Sequence, residues 1–587
     1  MKKPILRTLS AVALALVVAG CSQTPGAVGV EKGRTAAMPG DAPWAAAMSP
    51  QGRMKIAHYD EKRHLHIVDP DKGTSSKPYH PEKTERASSG VDLAWVGDEA
   101  YVAFRDKLPQ RDLFIGNVAQ PDALVGVGGD SVPLARVRLM PSGKGLAAIW
   151  YGEQHAREKK YHVYYRELDA QGKPSTDVQQ LFEGIYPVAA VTPGGRTTAV
   201  TWQQKNGVDT ISARSKTGDQ AFGAEVPVAV AAPLTPLFDA ISSGERTLAF
   251  WHAQYGANRD EFKLEGAYTD DGKKWERFHL KGLDGMDIES ADFAADGQGN
   301  VAAVVAAVPH AEFAAKIGKM QAYVVLSHDN GATWSAPVAL RQDPLQKEKD
   351  KVFSHSKAPK VAFTGPGKLL VAWQDWRDLR SAVHISYSED GGKTWLLNDQ
   401  RLSEQGVVQE GLALFSKSLF VHDGTAQLVV ERYTGDDLKE KRLEVRTLKR
   451  DDLVNWKVRQ AKHPQPDPDK LEQRVIEYWT AMQARDFEKS YAMLDPYFRS
   501  RVRFDIYKQD LGKIEYREPS IKLKTSYGPL ALAVTKMTVE VKPVTINNKT
   551  FKLDPTEKEI PTRWMWVDGN WYMEYYSEQK GVKYTPF

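Results

Sequence analysis

The chain has 587 residues, more than one ordinary domain holds, and 42% of them are hydrophobic, enough for packed cores. Its 45 Gly and 33 Pro, with 15 Trp, 23 Tyr and 19 Phe, favour short strands joined by tight turns. A formal net charge of only +4 without a long basic block argues against nucleic acid as a partner, and a single cysteine excludes an internal disulfide.

Residues 1–20 read as a targeting segment and stand outside the fold. Lys2, Lys3 and Arg7 precede an apolar run, Leu9 to Val18, which ends in "VAGC" at Cys21. The run is short for a membrane span. It resembles the bacterial lipoprotein signal, which implies cleavage before Cys21 and lipid attachment to its sulfur. Acyl chains at one residue bury enough CH₂ groups for stable anchoring without a span. Ser22 and Gln23 follow, with no Asp there to mark inner-membrane retention. The resemblance therefore implies an outer-membrane lipoprotein, facing either the periplasm or the cell surface. Residues 21–40, rich in small residues, read as a flexible tether.

Residues 41–460 carry a repeat: a Gly turn, then a short apolar segment ending in an aromatic or its substitute. Its members end at Tyr59, Phe104, Trp150, Trp202, Trp251, Val305, Trp373 and Glu431, spaced by 45, 46, 52, 49, 54, 68 and 58 residues. The seventh unit resolves further. "KVAF" (360–363), "KLLVAW" (368–373) and "SAVHISYS" (381–388) read as three strands, and "DGGKTW" turns the chain towards a fourth. Four short strands in about 50 residues, repeated, predict a β-propeller of seven or eight blades, one outer unit being split to close the ring. The longer gaps, 305→373 and 251→305, predict loops, among them 308–320 and 341–351.

Two turns in this repeat share a pattern. Ser327, Asp329, Gly331, Thr333 and Trp334 match Ser388, Asp390, Gly392, Thr394 and Trp395. "YTDDGKKW" (268–275) keeps Asp270, Gly272 and Trp275, and "SKTGDQAF" (215–222) is more eroded. The pattern resembles the Asp-box, or BNR repeat, of sialidase-like propellers. Its physics is structural: the Asp accepts backbone N–H groups of its own turn, Gly supplies φ > 0, and Trp covers the hairpin base.

A sialidase resemblance also implies a catalytic set: an arginine clamp, an Asp acid/base, and a Tyr nucleophile activated by a Glu. The family's Arg-Ile-Pro motif is missing; "FRDKLP" stands near its place. Residues that follow second strands supply candidates, namely Arg105, Arg377 and Arg432 for the clamp, Asp106 as acid, and Tyr433 with Glu431 as the nucleophile pair. The competing reading makes Asp375 and Arg377 loop-fixing residues of a non-catalytic repeat. No metal or cofactor signature stands out; "HLH" (64–66) alternates as on a surface strand without a second ligand pair.

"HPQPDPD" marks a Pro-spaced linker, taken over 461–470, before a different kind of segment. Leu471, Val475, Tyr478, Trp479 and Met482 recur at helical spacing, with Asp469 as N-cap; a second helix follows, capped by Asp486. Strands are predicted over 519–526, 530–543 and 561–576, the last a hairpin turning at Asp568-Gly569. "YWTAMQARDFEKSYAMLDP" and "WMWVDGNWYMEY" resemble the NTF2-like fold, an α+β cone over 471–587. That resemblance implies an apolar pocket, with Trp564, Trp566, Trp571 and Tyr572 as lining or core.

The expectation for the whole chain is a mainly β, lipid-anchored envelope protein that binds a protein or glycan on one propeller face. An exo-glycosidase of sialidase type is the alternative. A third possibility is an assembly factor recruiting a partner through the NTF2-like domain.

Overall fold

Eight antiparallel sheets follow one another along residues 44–448 in the computed structural model, and in the first seven the strands pair in chain order. The structure describes residues 28–574 apart from internal stretches, the longest of them 80–89, 312–319, 342–355, 403–411 and 457–465. The targeting segment and Cys21 lie outside the described residues.

The seventh sheet shows why the segment folds this way. Its strands are Ser356–Gly365, Lys368–Asp378, Arg380–Ser388 and Leu397–Arg401. The first two are joined across Pro366 and Gly367, the latter at φ 67°, a conformation that glycine adopts without strain. All eight repeat anchors, from Tyr59 to Glu431, fall on the second strand of a sheet. There Trp150, Trp251 and Trp373 are fully buried. The period legible in the sequence is thus that of the most enclosed strand.

The first strand of each sheet lies against the first strand of the next. Val429 and Leu443 of the eighth sheet share one core with Trp44, Met54 and Ile56 of the first. The series of sheets therefore returns on itself, an arrangement consistent with a β-propeller.

The closure corrects the expectation of a tether over 21–40 for the described residues of that span, 28–29 and 32–39. Val28–Gly29 pairs with Thr74–Ser75 at the outer edge of the first sheet, and Met38–Pro39 pairs with Glu440–Leu448 of the eighth. Between them, the Val445 N–H donates to the Gly33 carbonyl (2.8 Å), and the Thr35 N–H to the Leu443 carbonyl (3.0 Å). Small-residue composition suggested slack chain. The unpaired N–H and C=O groups of two sheet edges hold it extended instead.

The segment after 465 forms a separate core. A helix over Pro468–Ala484 and a shorter one over Phe487–Ala492 precede a sheet of Ile514–Tyr527, Leu530–Val541, Thr556–Val567 and Asn570–Met573. Leu471, Val475, Tyr478, Trp479 and Met482 are all buried, as their spacing predicts. The N-cap is Asp467 rather than Asp469: its side chain accepts from the N–H groups of Asp469 and Lys470, with Pro468 in the first turn. Proline suits that place because an N–H there has no helical acceptor. Asp486 caps the second helix through the Lys489 N–H. A small hairpin, Val544–Ile546 with Lys549–Phe551, was not anticipated. Trp564, Trp566 and Trp571 are packed in the core, and Tyr572 is half-buried.

Candidate functional site

Second strands run outward from the turns that join them to first strands. Their far ends therefore lie at the rim opposite the turns between third and fourth strands. Arg105 ends Glu99–Arg105; Arg377 lies in Lys368–Asp378; Glu431, Arg432 and Tyr433 lie in Thr425–Thr434. The topology brings the catalytic candidates to one rim and the Asp-boxes to the other. Asp106 and the side chains of Arg377 and Tyr433 lie outside the described residues.

The remaining candidates engage the protein itself. Arg105 Nη1 donates to the Pro133 carbonyl of the neighbouring sheet at 3.0 Å. Arg432 turns along its own sheet to Glu444, with Nε–Oε1 at 2.7 Å and Nη2–Oε2 at 3.2 Å. The Glu431 carboxylate is buried and accepts from Trp44 Nε1 at 2.7 Å and Lys441 Nζ at 2.6 Å. It lies in the seam between the first and eighth sheets. Asp375 is buried too, accepting from the Trp373 indole at 3.2 Å and the Ser356 hydroxyl at 2.9 Å.

The boxes on the other rim are closed hydrogen-bond systems. Ser327 Oγ donates to Asp329 Oδ1 (2.7 Å) and accepts from the Gly331 N–H (2.8 Å). Asp329 in turn receives the Thr333 N–H (2.8 Å) and hydroxyl (2.5 Å). Ser388, Asp390, Gly392 and Thr394 repeat this at 2.9, 2.9, 2.8 and 2.6 Å. The Thr394 hydroxyl and N–H hold Asp390 down at a pKa of about 2. Trp334 Nε1 donates to the Gly331 carbonyl (3.0 Å), and Trp395 packs at the edge of the core between the sixth and seventh sheets.

The third copy departs from the sequence alignment. Thr269 and Asp271, one residue later than expected, cap the Gly272 N–H and the Lys273 and Lys274 N–H groups. Asp270 instead takes a bidentate grip from Arg246 at 2.7 and 2.8 Å. Arg246 also reaches the Asp329 carbonyl of the next sheet at 3.4 Å. This rim is a chain of fasteners between sheets.

The structure adds a set of residues that the sequence reading passed over. Asp92, Arg138, Asp239, Asp292 and Lys360 pair with Ala103, Ile149, Phe250, Val304 and Ala372. Each of those partners immediately precedes a repeat anchor. One charge thus sits at the same rung of the innermost strand in five sheets, and Lys417 lies just ahead of the corresponding strand of the eighth. Arg138 of the third sheet reaches Asp239 of the fifth, Nη1–Oδ1 2.6 Å. Asp92 and Asp292 accept the Leu139 and Val361 N–H groups of the following sheets at 2.8 and 2.9 Å. Lys360 Nζ stands 3.9 Å from Asp292.

Burial pushes Asp292 up to about 6 against the pull of Lys360. Burial acts the same way on Asp239, yet Arg138 and then Lys417 outweigh it and hold the carboxyl below its ordinary value. The signal was present in the sequence as a charge set among apolar residues in five of the first strands. It becomes visible only when the units are aligned on the anchor of the second strand. Chemically the belt is balanced, the three acids Asp92, Asp239 and Asp292 standing with the three bases Arg138, Lys360 and Lys417.

Among the described residues no group of three or more His, Cys, Asp or Glu is placed to hold a metal ion. The "HLH" segment is half-buried rather than a plain surface strand: His66 stacks on His58 at 5.6 Å and meets Asp60 at 3.1 Å. Burial, with His66 nearby, lowers His58 to about 4, so it is neutral at physiological pH.

No family model matches the chain, and no curated protein matches it. Among solved structures, polysaccharide lyase Uly1 superposes with a TM-score of 0.39 at 8% identity, over 61% of this chain and 90% of that one. The polysaccharide lyase described as PL25-Ulvanlyase gives 0.36 at 14% identity, over 62% and 94%. An α-L-arabinanase of Penicillium chrysogenum gives 0.31 at 13%, over 54% and 93%. A eukaryotic initiation factor and a post-proline cleaving enzyme from Rickettsia typhi stand beside them at 0.35 and 0.34. Likeness at this level carries no functional argument for the chain.

Proposed function

We propose that the chain is a lipoprotein, acylated at Cys21, whose eight-bladed propeller and NTF2-like domain serve binding rather than catalysis. The binding face is the rim where second strands end, and its partner is an envelope protein or a glycan. The observation that carries this reading is the engagement of Arg105, Glu431 and Arg432. Each is drawn into a contact within the protein, Arg105 with Pro133, Glu431 with Trp44 and Lys441, and Arg432 with Glu444. An exo-glycosidase of sialidase type needs a clamp of arginines aimed at a substrate carboxylate, with a Glu free to activate a Tyr nucleophile.

Two measurements test the proposal. Labelled palmitate should enter the wild type and not Cys21→Ser. The purified protein should retain an envelope glycan or protein without turning over a fluorogenic sialoside. Hydrolysis above a blank that disappears in Arg377→Ala would replace the binding reading with the glycosidase.

A further inference from the structure

The clasp that closes the series of sheets also fixes how far the protein can stand from a membrane. Val28–Gly29 is paired to the outer edge of the first sheet. Only six residues, 22–27, separate it from Cys21. A fully extended chain from Cys21 to Val28 covers no more than about 25 Å. An anchor at Cys21 therefore hangs from the seam between the first and eighth sheets on a short lead, not from a long tether.

The chemistry at that seam suits a phosphate-bearing surface. Three arginines converge on one carboxylate: Arg34, Arg432 and Arg446 lie 3.2, 2.7 and 2.6 Å from Glu444. Arg34 and Arg446 keep 38% of their side chains exposed. Lys32, next to the Gly33 that Val445 binds, is exposed. Lys72 is 77% exposed in the turn whose Pro70 carbonyl accepts the Gly33 N–H. Cations held close to an anionic membrane surface are attracted to it. One lipid anchor joined to a basic patch binds more firmly than either alone.

We infer that the outer edge at the seam of the first and eighth sheets, with Lys32, Arg34, Lys72 and Arg446, docks on the phospholipid headgroups of the membrane that holds the Cys21 lipid. This rests on the proposed acylation. It orients the propeller: the fourth and fifth sheets, across the ring, point away from the bilayer.

The test uses the full lipidated protein on phosphatidylethanolamine–phosphatidylglycerol vesicles carrying a quencher on a headgroup. Cys21 is blocked by its lipid, so Asp71→Cys and Asp219→Cys each supply one thiol for a fluorophore. Both replace an exposed acid in a turn between third and fourth strands, in the first and fourth sheets respectively. Unchanged circular dichroism certifies folding. The expected result is quenching several-fold stronger at position 71 than at 219. Equal quenching in protein that floats with the vesicles overturns the orientation alone. Protein that neither floats nor takes up labelled palmitate overturns the anchor, and the orientation with it.

Discussion

Arg138→Met tests whether the charges at the axis hold the sheets together. Met keeps most of the stem and removes the guanidinium. Asp239 then loses its 2.6 Å partner, and Asp92 loses one of the cations that offset its burial. Breaking a buried pair from one side typically costs 3–5 kcal/mol. Here the two side chains stay 28% and 27% exposed, so water recovers part of the loss, and about 2 kcal/mol is expected at neutral pH. The sign with pH follows from Asp239. In the wild type its carboxyl lies below the ordinary value, so its contribution is present above the unfolded-state pKa and is lost only as pH falls through the lower folded value. In the variant, burial is no longer outweighed by Arg138, and protonation relieves the strain. The deficit should be largest near pH 7 and shrink towards pH 4. The assay is urea unfolding followed by tryptophan fluorescence at both pH values, with Asp239→Asn and the double variant completing a cycle. The double variant should be more stable than the sum of the single losses. A deficit independent of pH, or losses that simply add, would refute the reasoning.

Three further perturbations follow from the same geometry. Asp292 has a folded pKa raised to about 6, so its stabilising, protonated form is complete below the unfolded value and lost as pH rises through 6. Asp292→Asn keeps an oxygen for the Val361 N–H and should melt no lower than wild type at pH 7.5, with the advantage fading by pH 5; scanning calorimetry reads this directly. Ser388→Ala removes the fully buried hydroxyl that accepts from Gly392 N–H and binds Asp390; a loss of about 1–2 kcal/mol is expected, with faster hydrogen exchange at Gly392 and Thr394. Met38→Asp places a charge on a fully buried residue of the clasp. It should unfasten residues 33–39 from the eighth sheet and open them to limited proteolysis, while the helical domain after 465 stays protected.

What could be read from the sequence was whatever the fold repeats. The anchors from Tyr59 to Trp373 announced themselves because a buried second strand needs an apolar run, and a tight turn before it needs glycine. The boxes at Ser327 and Ser388 were legible because every partner lies within a few residues. The third box was misaligned by one position for the same local reason: Asp270 and Asp271 are equally good acids in sequence, and only Arg246, far along the chain, draws one of them away. Helix and core residues such as Val475 and Trp479 followed from period alone, whereas the Asp467 cap turned on a single proline.

The functional candidates failed to be legible in a more instructive way. Arg432 and Glu431 read as a clamp arginine and half of a nucleophile pair from their place near the end of a second strand, and nothing local distinguishes a residue aimed at a ligand from one aimed at Glu444 or Trp44. Those partners come from a different strand and a different sheet. The axial belt hid for the complementary reason. A lone Asp in "VDLAW" or "LFDAI" looks like noise in a strand until its cross-strand partner is known. Register then places it one rung from the anchor in sheet after sheet. A charge kept at one rung, in strands that otherwise bury apolar surface, must be offset by opposite charges from other sheets. No single unit can fold stably with it, so the belt favours the complete set of sheets over any part of it. That coupling makes closure by residues 33–39 consequential: the chain that ends the ring is the same short segment that begins beside Cys21.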